Sequence, residues 1–328
     1  MFFRIPAFFL LYFFCFCGIF FYSGTVFHGP EPRIRGIRRP SRNRGVRGPA
    51  REPSNTEVNM SEPITKKTVR TFRKMKQQGE KIVMITAYDA PTAAFAEAAG
   101  IDFILVGDSL SMNTLGYADT IPATMDVMVH HAQCVRRGAP NTFVVGDMPF
   151  MTCHLGVENT LREAARFMQE AGCDAVKLEC TPSTLPAVRA LVEAGIPVQG
   201  HIGLLPQSVK TSGGYRVQGR GEEEAAELVA RAKELEDAGV FSMVLECVPR
   251  ELAAKITASV AVPTIGIGAG PDCDGQVQVV SDLLGYSEGF LPKHARRFCH
   301  VGTVAQEAIA AYIAEVKGKT FPASENCF

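Results

Sequence analysis

Residues 142–179 read TFVVGDMPFMTCHLGVENTLREAARFMQEAGCDAVKLE, in which two β-rich runs flank one helical stretch. The runs are TFVVG and AVKL, and the stretch between them, residues 158–171, carries apolar residues at spacings of three and four. Such spacing is typical of a helix that buries one face. A strand, a helix and a second strand in this order predict two parallel strands joined by a crossover helix.

The same alternation continues on both sides of this unit, with further helical stretches between the β-rich runs. Eight strands in residues 60–328 favour a (β/α)8 barrel of the TIM type over an open doubly wound sheet. The predicted strands are residues 82–86, 103–107, 142–146, 175–178, 197–199, 241–245, 263–267 and 288–291. The predicted helices are residues 89–99, 124–137, 158–171, 184–194, 222–238, 249–258 and 303–316.

The composition of the chain changes sharply at Met60. Residues 1–59 carry nine Lys or Arg and three Asp or Glu, starting with a Phe-rich apolar run and continuing as a Pro-, Gly- and Arg-rich stretch. Because the whole chain carries 34 Lys or Arg and 34 Asp or Glu, residues 60–328 carry a net charge of −6. Because a phosphate-binding surface needs a concentrated excess of Lys and Arg, this body disfavours nucleic acid as a partner. We expect residues 60–328 to form the barrel without residues 1–59.

Three interpretations of the leader, residues 1–59, remain open. It is a targeting segment, a membrane anchor followed by a basic linker, or translated sequence upstream of the true start. Met60 is favoured as the start because a short basic helical stretch leads from it directly into the first predicted strand.

Ionisable residues lie at or just after the ends of five consecutive predicted strands, the second to the sixth. Catalytic groups of a TIM-type barrel collect at the carboxyl ends of its strands. One Asp or Ser in such a position would be interpreted as an ordinary helix cap. Acids after three adjacent strands instead predict a cation site, since crowded carboxylates repel one another. In strand order, the residues are Asp108 and Ser109, Asp147, Lys177 and Glu179, His201, and Glu246.

The acids at the ends of the second, third and fourth predicted strands are our candidate ligands for one divalent cation. Asp108, Asp147 and Glu179 offer only oxygen, which suits Mg²⁺, although His201 keeps zinc open. Lys177 lies two residues before Glu179, so both side chains point to the interior side of the strand. A buried Lys there would balance carboxylate charge or a developing oxyanion. His201 alone could be a packed core histidine, but within this set a substrate hydrogen bond is favoured.

Several longer segments, in order along residues 60–328, carry a family resemblance. They include VGDSLSMNTLGYADTIPATMD (106–126), GDMPF (146–150), VKLE (176–179), GHIGLLPQSV (200–209) and LECVP (245–249). Together they closely resemble the 3-methyl-2-oxobutanoate (ketopantoate) hydroxymethyltransferases. The resemblance implies a (β/α)8 barrel of the phosphoenolpyruvate/pyruvate superfamily. It also implies a cytoplasmic homo-oligomer, often a decamer, that acts in pantothenate biosynthesis.

The resemblance also implies a reaction and a role for each candidate residue. A hydroxymethyl group passes from 5,10-methylenetetrahydrofolate to 3-methyl-2-oxobutanoate, with Mg²⁺ stabilising an enolate of the oxo acid. The metal ligands are Asp108, Asp147 and Glu179, and the catalytic base is Glu246. The residues expected to bind the oxo acid are Asp108, Ser109, Lys177 and His201.

Two other functions compete with this interpretation. A lyase or phosphonate mutase acting on a 2-oxo acid would usually carry a mobile loop with a KKCG-like signature, which the sequence lacks. A membrane-anchored binding protein that has lost its chemistry would lack at least one acid of the site. Asp108, Asp147, Glu179 and Glu246 are all present, which favours the enzyme.

Overall fold

Eight parallel strands close into one barrel in chain order, with the first strand hydrogen-bonded to the last. The computed structural model describes residues 65–287 and 289–328, so the interpretations of the leader at residues 1–59 fall outside the described residues. The strands are β1 Ile82–Thr86, β2 Phe103–Val106, β3 Phe143–Asp147, β4 Ala175–Glu179, β5 Val198–Gly203, β6 Ser242–Glu246, β7 Thr264–Ile267 and β8 Gly275–Gln278.

Helices cover the outside of the barrel, and short ones follow some of the strands. They are α1 Val69–Gln78, α2 Ala90–Ala98, α3 Leu110–Asn113, α4 Met125–Gly138, α5 Val157–Gln169, α6 Leu185–Glu193, α7 Val209–Ser212, α8 Glu222–Asp237, α9 Arg250–Ser259, α10 Val280–Leu284 and α11 Val301–Lys317. All seven helices predicted from the sequence are present, with ends that differ by no more than two residues.

The amino end of the barrel is closed by aromatic packing. Phe72 of α1 inserts between the strands, with ring centroids 4.8 Å from Phe103 and 5.2 Å from Phe143. Thr68 caps the start of α1, and Gly79 ends the helix in a left-handed conformation with φ of 69°. These apolar side chains fill the amino end of the barrel interior, so the polar side chains of the strands lie at its carboxyl end.

The packing of α5 on β3 depends on a missing side chain. Phe167 of α5 is fully buried against Gly146, where an added Cβ would lie 2.5 Å from the Phe167 ring. The close approach fixes the outer side of β3 immediately before Asp147, whose side chain is directed to the other side of the strand. The helix thereby holds the carboxyl end of β3 in place.

The predicted eighth strand, residues 288–291, is wrong. The eighth strand is Gly275–Gln278, whereas residues 289–291 are irregular and Phe290 is 90% exposed. The GQVQ run has one apolar side chain, Val277, and the glycine lets the strand approach β1. A Cβ on Gly275 would lie 2.4 Å from the carbonyl oxygen of Ile82. Short strands with this composition give little apolar signal.

The fifth strand is longer than predicted. It spans Val198–Gly203 rather than residues 197–199, so His201 lies within the strand instead of after its end. Within the described residues, no helix separates β7 from β8, and the connection is a short loop. In the part of the chain that the structure describes, no helix is long and apolar enough to cross a bilayer.

Candidate active site

The carboxyl ends of β2 to β6 bring all of the predicted site residues to one end of the barrel. Strand register places Asp147 beside Lys177, Glu179 beside His201, and Gly203 beside Glu246. Asp108 and Ser109 follow β2 directly. The polar side chains at these positions are largely buried: Asp108, Asp147, Lys177, Glu179 and His201 are each at most 8% exposed. The sequence rule on strand ends therefore located a real cluster.

Lys177 and Asp147 form a buried ion pair at the centre of this cluster. The Nζ of Lys177 donates to Oδ1 of Asp147 at 2.6 Å, and the backbone N–H of Asp108 donates to Oδ2 of Asp147 at 3.1 Å. Burial alone would lower the pKa of Lys177, but Asp147 and Asp108 hold it above its usual value. Lys177 is therefore a fixed positive charge in the site.

Among the residues that the structure describes, the other two acids have no equivalent partner. Burial raises the pKa of Asp108 to about 7, with a further contribution from the charge of Asp147. Burial also raises the pKa of Glu179 to about 8, and the charge of Asp108 adds to the shift. Three buried acids with one lysine cannot all be ionised without a further positive charge, which a bound cation would supply.

The oxygen atoms of these acids fit a magnesium ion that keeps part of its water shell. Oδ2 of Asp108 and Oε1 of Glu179 accept hydrogen bonds, which leaves Oδ1 and Oε2 available. Among the described residues, no three His, Cys, Asp or Glu side chains are arranged as a direct ligand set. Mg²⁺ commonly takes one or two carboxylates and completes its shell with water and substrate. The donor set is therefore compatible with Mg²⁺ and unlike a structural zinc site.

His201 and Glu246 lie side by side on neighbouring strands. His201 Nε2 is 3.2 Å from Oε2 of Glu246, but neither buried ring nitrogen has a hydrogen bond of good geometry to any described residue. Burial and the charge of Lys177 lower the pKa of His201, against the opposing effect of Glu246. A neutral His201 with free ring nitrogens can hydrogen-bond a substrate oxygen. Glu246 keeps 18% of its side chain exposed, which leaves it accessible.

Ser109 is not used as a helix cap. It precedes α3, but its side chain makes no capping hydrogen bond, and its Oγ lies 2.8 Å from the hydroxyl of Tyr88. Burial raises the pKa of Tyr88 to about 12, so the phenol stays protonated at neutral pH. Tyr88 thereby fixes the position of the Ser109 hydroxyl at the edge of the site.

Sequence reasoning missed two residues of the site, Tyr88 and Gln207. Tyr88 follows the end of β1 as Asp108 follows the end of β2, so the rule that found Asp108 could have found it. Gln207 lies in a 3-10 turn beyond β5, at a position that periodicity does not mark. Its amide groups contact both Asp108 and Glu179.

Comparison with known proteins places this barrel in a family. The family model described as ketopantoate hydroxymethyltransferase matches residues 66–324. The 3-methyl-2-oxobutanoate hydroxymethyltransferase of Geobacillus sp. (strain WCH70) is 52% identical over 80% of this chain and 94% of its own length. The enzyme of the same name from Desulfotalea psychrophila (strain LSv54 / DSM 12343) is 51% identical over 80% and 94%.

Solved structures with the same fold are more distant in sequence. A 2,3-dimethylmalate lyase, a member of the PEP mutase/isocitrate lyase superfamily, superposes with a TM-score of 0.51 at 21% identity. The match covers 79% of this chain and 91% of the lyase and, with the closed barrel of eight strands, confirms the predicted (β/α)8 fold. The family match and the close relatives agree with the resemblance carried by the sequence segments. The chain belongs to the ketopantoate hydroxymethyltransferase family of transferase enzymes.

Proposed function

We propose that the chain transfers a hydroxymethyl group from 5,10-methylenetetrahydrofolate to 3-methyl-2-oxobutanoate, giving 2-dehydropantoate for pantothenate biosynthesis. The observation that carries the proposal is the buried group of three carboxylates and one lysine beside Glu246, at the carboxyl end of the barrel. Relatives that share half of the sequence have the name of this activity.

Asp108, Asp147 and Glu179 are the proposed ligands of one Mg²⁺ ion. When bound, the ion would polarise the keto oxygen of the oxo acid, which makes the neighbouring carbon more acidic. Lys177, held by Asp147 at 2.6 Å, supplies a second positive charge towards the substrate oxygens. The cation and Lys177 would thus balance the negative charge of the 2-oxo acid.

Glu246 is the proposed base. Its carboxylate accepts the proton of carbon 3 of the oxo acid, and the resulting enolate carbon attacks the methylene carbon carried by the folate. The two C–N bonds of the methylene carbon break and a water molecule supplies the hydroxyl group. The proton released by this water and the proton held by Glu246 go to the two nitrogens of the departing tetrahydrofolate. His201, adjacent to Glu246 at 3.2 Å, donates a hydrogen bond to the substrate from its unpartnered ring, and Ser109 does so from the rim.

The direct test is an assay of the full chain with Mg²⁺ and both substrates, in which the product is identified by mass spectrometry. We expect 2-dehydropantoate to form only when the oxo acid, the folate and the cation are all present. Product formed without folate, or no product with all three components, would refute the proposed reaction.

We also propose that the enzyme is a homo-oligomer, for which the resemblance suggests a decamer. None of the residues of α11 is buried, and Ile309, Tyr312, Ile313 and Val316 form one exposed apolar face at helical spacing. On the barrel, the outward side chain of Val83 in β1 is 52% exposed. Apolar surface of this kind is typical of protein–protein contacts, and a second copy of the chain is the occupant that we propose.

Finally, we propose that residues 1–59 are dispensable for activity and that the enzyme acts in the cytoplasm on small molecules, without nucleic acid. The support is that the family match starts at residue 66, after the leader. The named site residues also come entirely from β1 to β6 and the segments that follow these strands.

A further inference from the structure

Gln207 connects the ends of three strands that carry the acids of the site. It lies in the 3-10 turn Pro206–Ser208 after β5, and only 9% of the residue is exposed. Its backbone N–H donates to Oε1 of Glu179 at 2.8 Å, and its Nε2 donates to Oδ2 of Asp108 at 2.9 Å. The same Nε2 donates to the carbonyl oxygen of Met148 at 2.9 Å.

These contacts fix the orientation of the Gln207 amide. A carbonyl oxygen can only accept hydrogen bonds, so the side-chain atom that contacts Met148 must be the NH₂ group. The two N–H groups of that nitrogen are then both used, one on Met148 and the other on Asp108. The carboxamide cannot turn its oxygen towards Asp108 without losing both bonds.

The same contacts occupy one oxygen on each of two carboxylates. Asp108 keeps Oδ1 and Glu179 keeps Oε2 for a ligand, while Oδ2 and Oε1 accept from Gln207. A carboxylate held in this way is suited to bind a cation through one oxygen. Bidentate binding would require the second oxygen to give up a buried hydrogen bond to a charged group, which is among the stronger kinds.

One-oxygen binding distinguishes between divalent cations. Mg²⁺ needs a near-ideal octahedron at short distances and takes few protein oxygens, whereas Ca²⁺ takes six to eight oxygens and often binds carboxylates through both. We propose that Gln207 is a positioning residue that keeps Asp108 and Glu179 monodentate and so makes the site prefer Mg²⁺ to Ca²⁺. The inference rests on the proposed cation site at these acids.

The competing explanation is that Gln207 merely holds the loop after β5 in place. Loss of such a structural contact would weaken the binding of both cations alike. If Gln207 instead keeps the carboxylates monodentate, its loss would change the ratio of the two affinities. Ca²⁺ could then bind a second oxygen of a carboxylate, which Mg²⁺ does not use.

The test compares Mg²⁺ and Ca²⁺ binding to the full chain by isothermal titration calorimetry without substrates. Gln207→Met has a similar length but no side-chain donor, and Gln207→Asn is a second variant that stays polar and is too short to reach Asp108. Both keep the backbone N–H. Gln218→Met is the matched control on the same connection, since within the described residues its Nε2 donates only to the carbonyl oxygen of Arg216, at 3.0 Å.

We expect the dissociation constant of Ca²⁺ divided by that of Mg²⁺ to fall about tenfold in both Gln207 variants. A tenfold change is the size of effect that about one hydrogen bond to a charged group produces. The ratio should stay unchanged in Gln218→Met. An unchanged ratio in the folded Gln207 variants, or an equal loss for both ions, would overturn the positioning role and leave the proposed function intact. If the wild-type chain binds neither ion, both the cation site and the inference fall.

Discussion

Lys177 and Asp147 are joined by an ion pair of 2.6 Å in which the side chains are only 6% and 1% exposed. Burial of two charges costs more than one such contact commonly returns, so a pair of this kind is weak evidence for a stabilising role. Its position at the end of β3 and β4, between the other acids, is better explained by the chemistry of the site.

Removal of the lysine should leave an uncompensated buried charge. We expect Lys177→Met to abolish turnover and to lower the free energy of unfolding by about 3–5 kcal/mol, as measured by urea denaturation. The matched control is Lys76→Met. Lys76 forms an ion pair with Asp274, with 2.8 Å between Nζ and Oδ2, and this pair lies outside the proposed site. The control should lose stability but keep turnover per folded molecule, and full activity in Lys177→Met would contradict the role of Lys177.

The excess of buried acids should make the protein respond to magnesium. We expect Mg²⁺ to raise the melting temperature of the wild type, since the ion binds the folded state only. Asp108→Asn removes one charge from the cluster, so without metal its melting temperature should be higher than that of the wild type. Each kcal/mol gained in the free energy of unfolding corresponds to about 2–4 °C. The variant should also lose the response to Mg²⁺. The exposed acid variant Asp237→Asn should respond as wild type does, and an equal response in Asp108→Asn would argue against the ligand role.

The sequence predicted the barrel and most of its active end for a physical reason. Buried strands end where the apolar run meets the first polar side chain, and in a parallel barrel all of those ends meet. Asp108, Asp147, Glu179 and Glu246 could therefore be located without a structure. The missed strand β8 has one apolar residue, Val277, and depends on the close approach of Gly275 to β1, which periodicity does not show.

Gln207 shows what the sequence could not give. Its role depends on the path of the chain after β5, which brings its backbone N–H to the end of β4 and its side-chain amide to the ends of β2 and β3. Such a path is set by tertiary contacts, whereas sequence patterns report only on neighbours along one element. Tyr88, by contrast, follows β1 at once and was within reach of the rule on strand ends.

The exposed face of α11 should be an interface between copies. We expect Ile313→Glu to reduce the molar mass of the assembly in size-exclusion chromatography with light scattering, because the charge would have to be buried. Ala311→Glu introduces the same charge on the other side of α11 and should leave the molar mass unchanged. A monomeric wild type, or an assembly that tolerates Ile313→Glu, would disprove the interface.

The leader should be dispensable. A chain that starts at Met60 contains the whole family match, residues 66–324, and should give the same turnover as the full chain in the product assay. We expect its melting temperature to be unchanged as well. Inactive protein from this shorter chain, with activity recovered when residues 1–59 are restored, would show that the leader belongs to the working enzyme.

The role of Glu246 is the central claim, and isotope exchange tests it most directly. In deuterium oxide with Mg²⁺ and 3-methyl-2-oxobutanoate, the wild type should exchange the carbon-3 proton, as followed by proton NMR. Glu246→Gln keeps the size of the side chain but removes its basicity, so exchange and turnover should fall together by about 10²–10⁴, while binding of the oxo acid changes little. Exchange that survives in Glu246→Gln while turnover is lost would contradict the account.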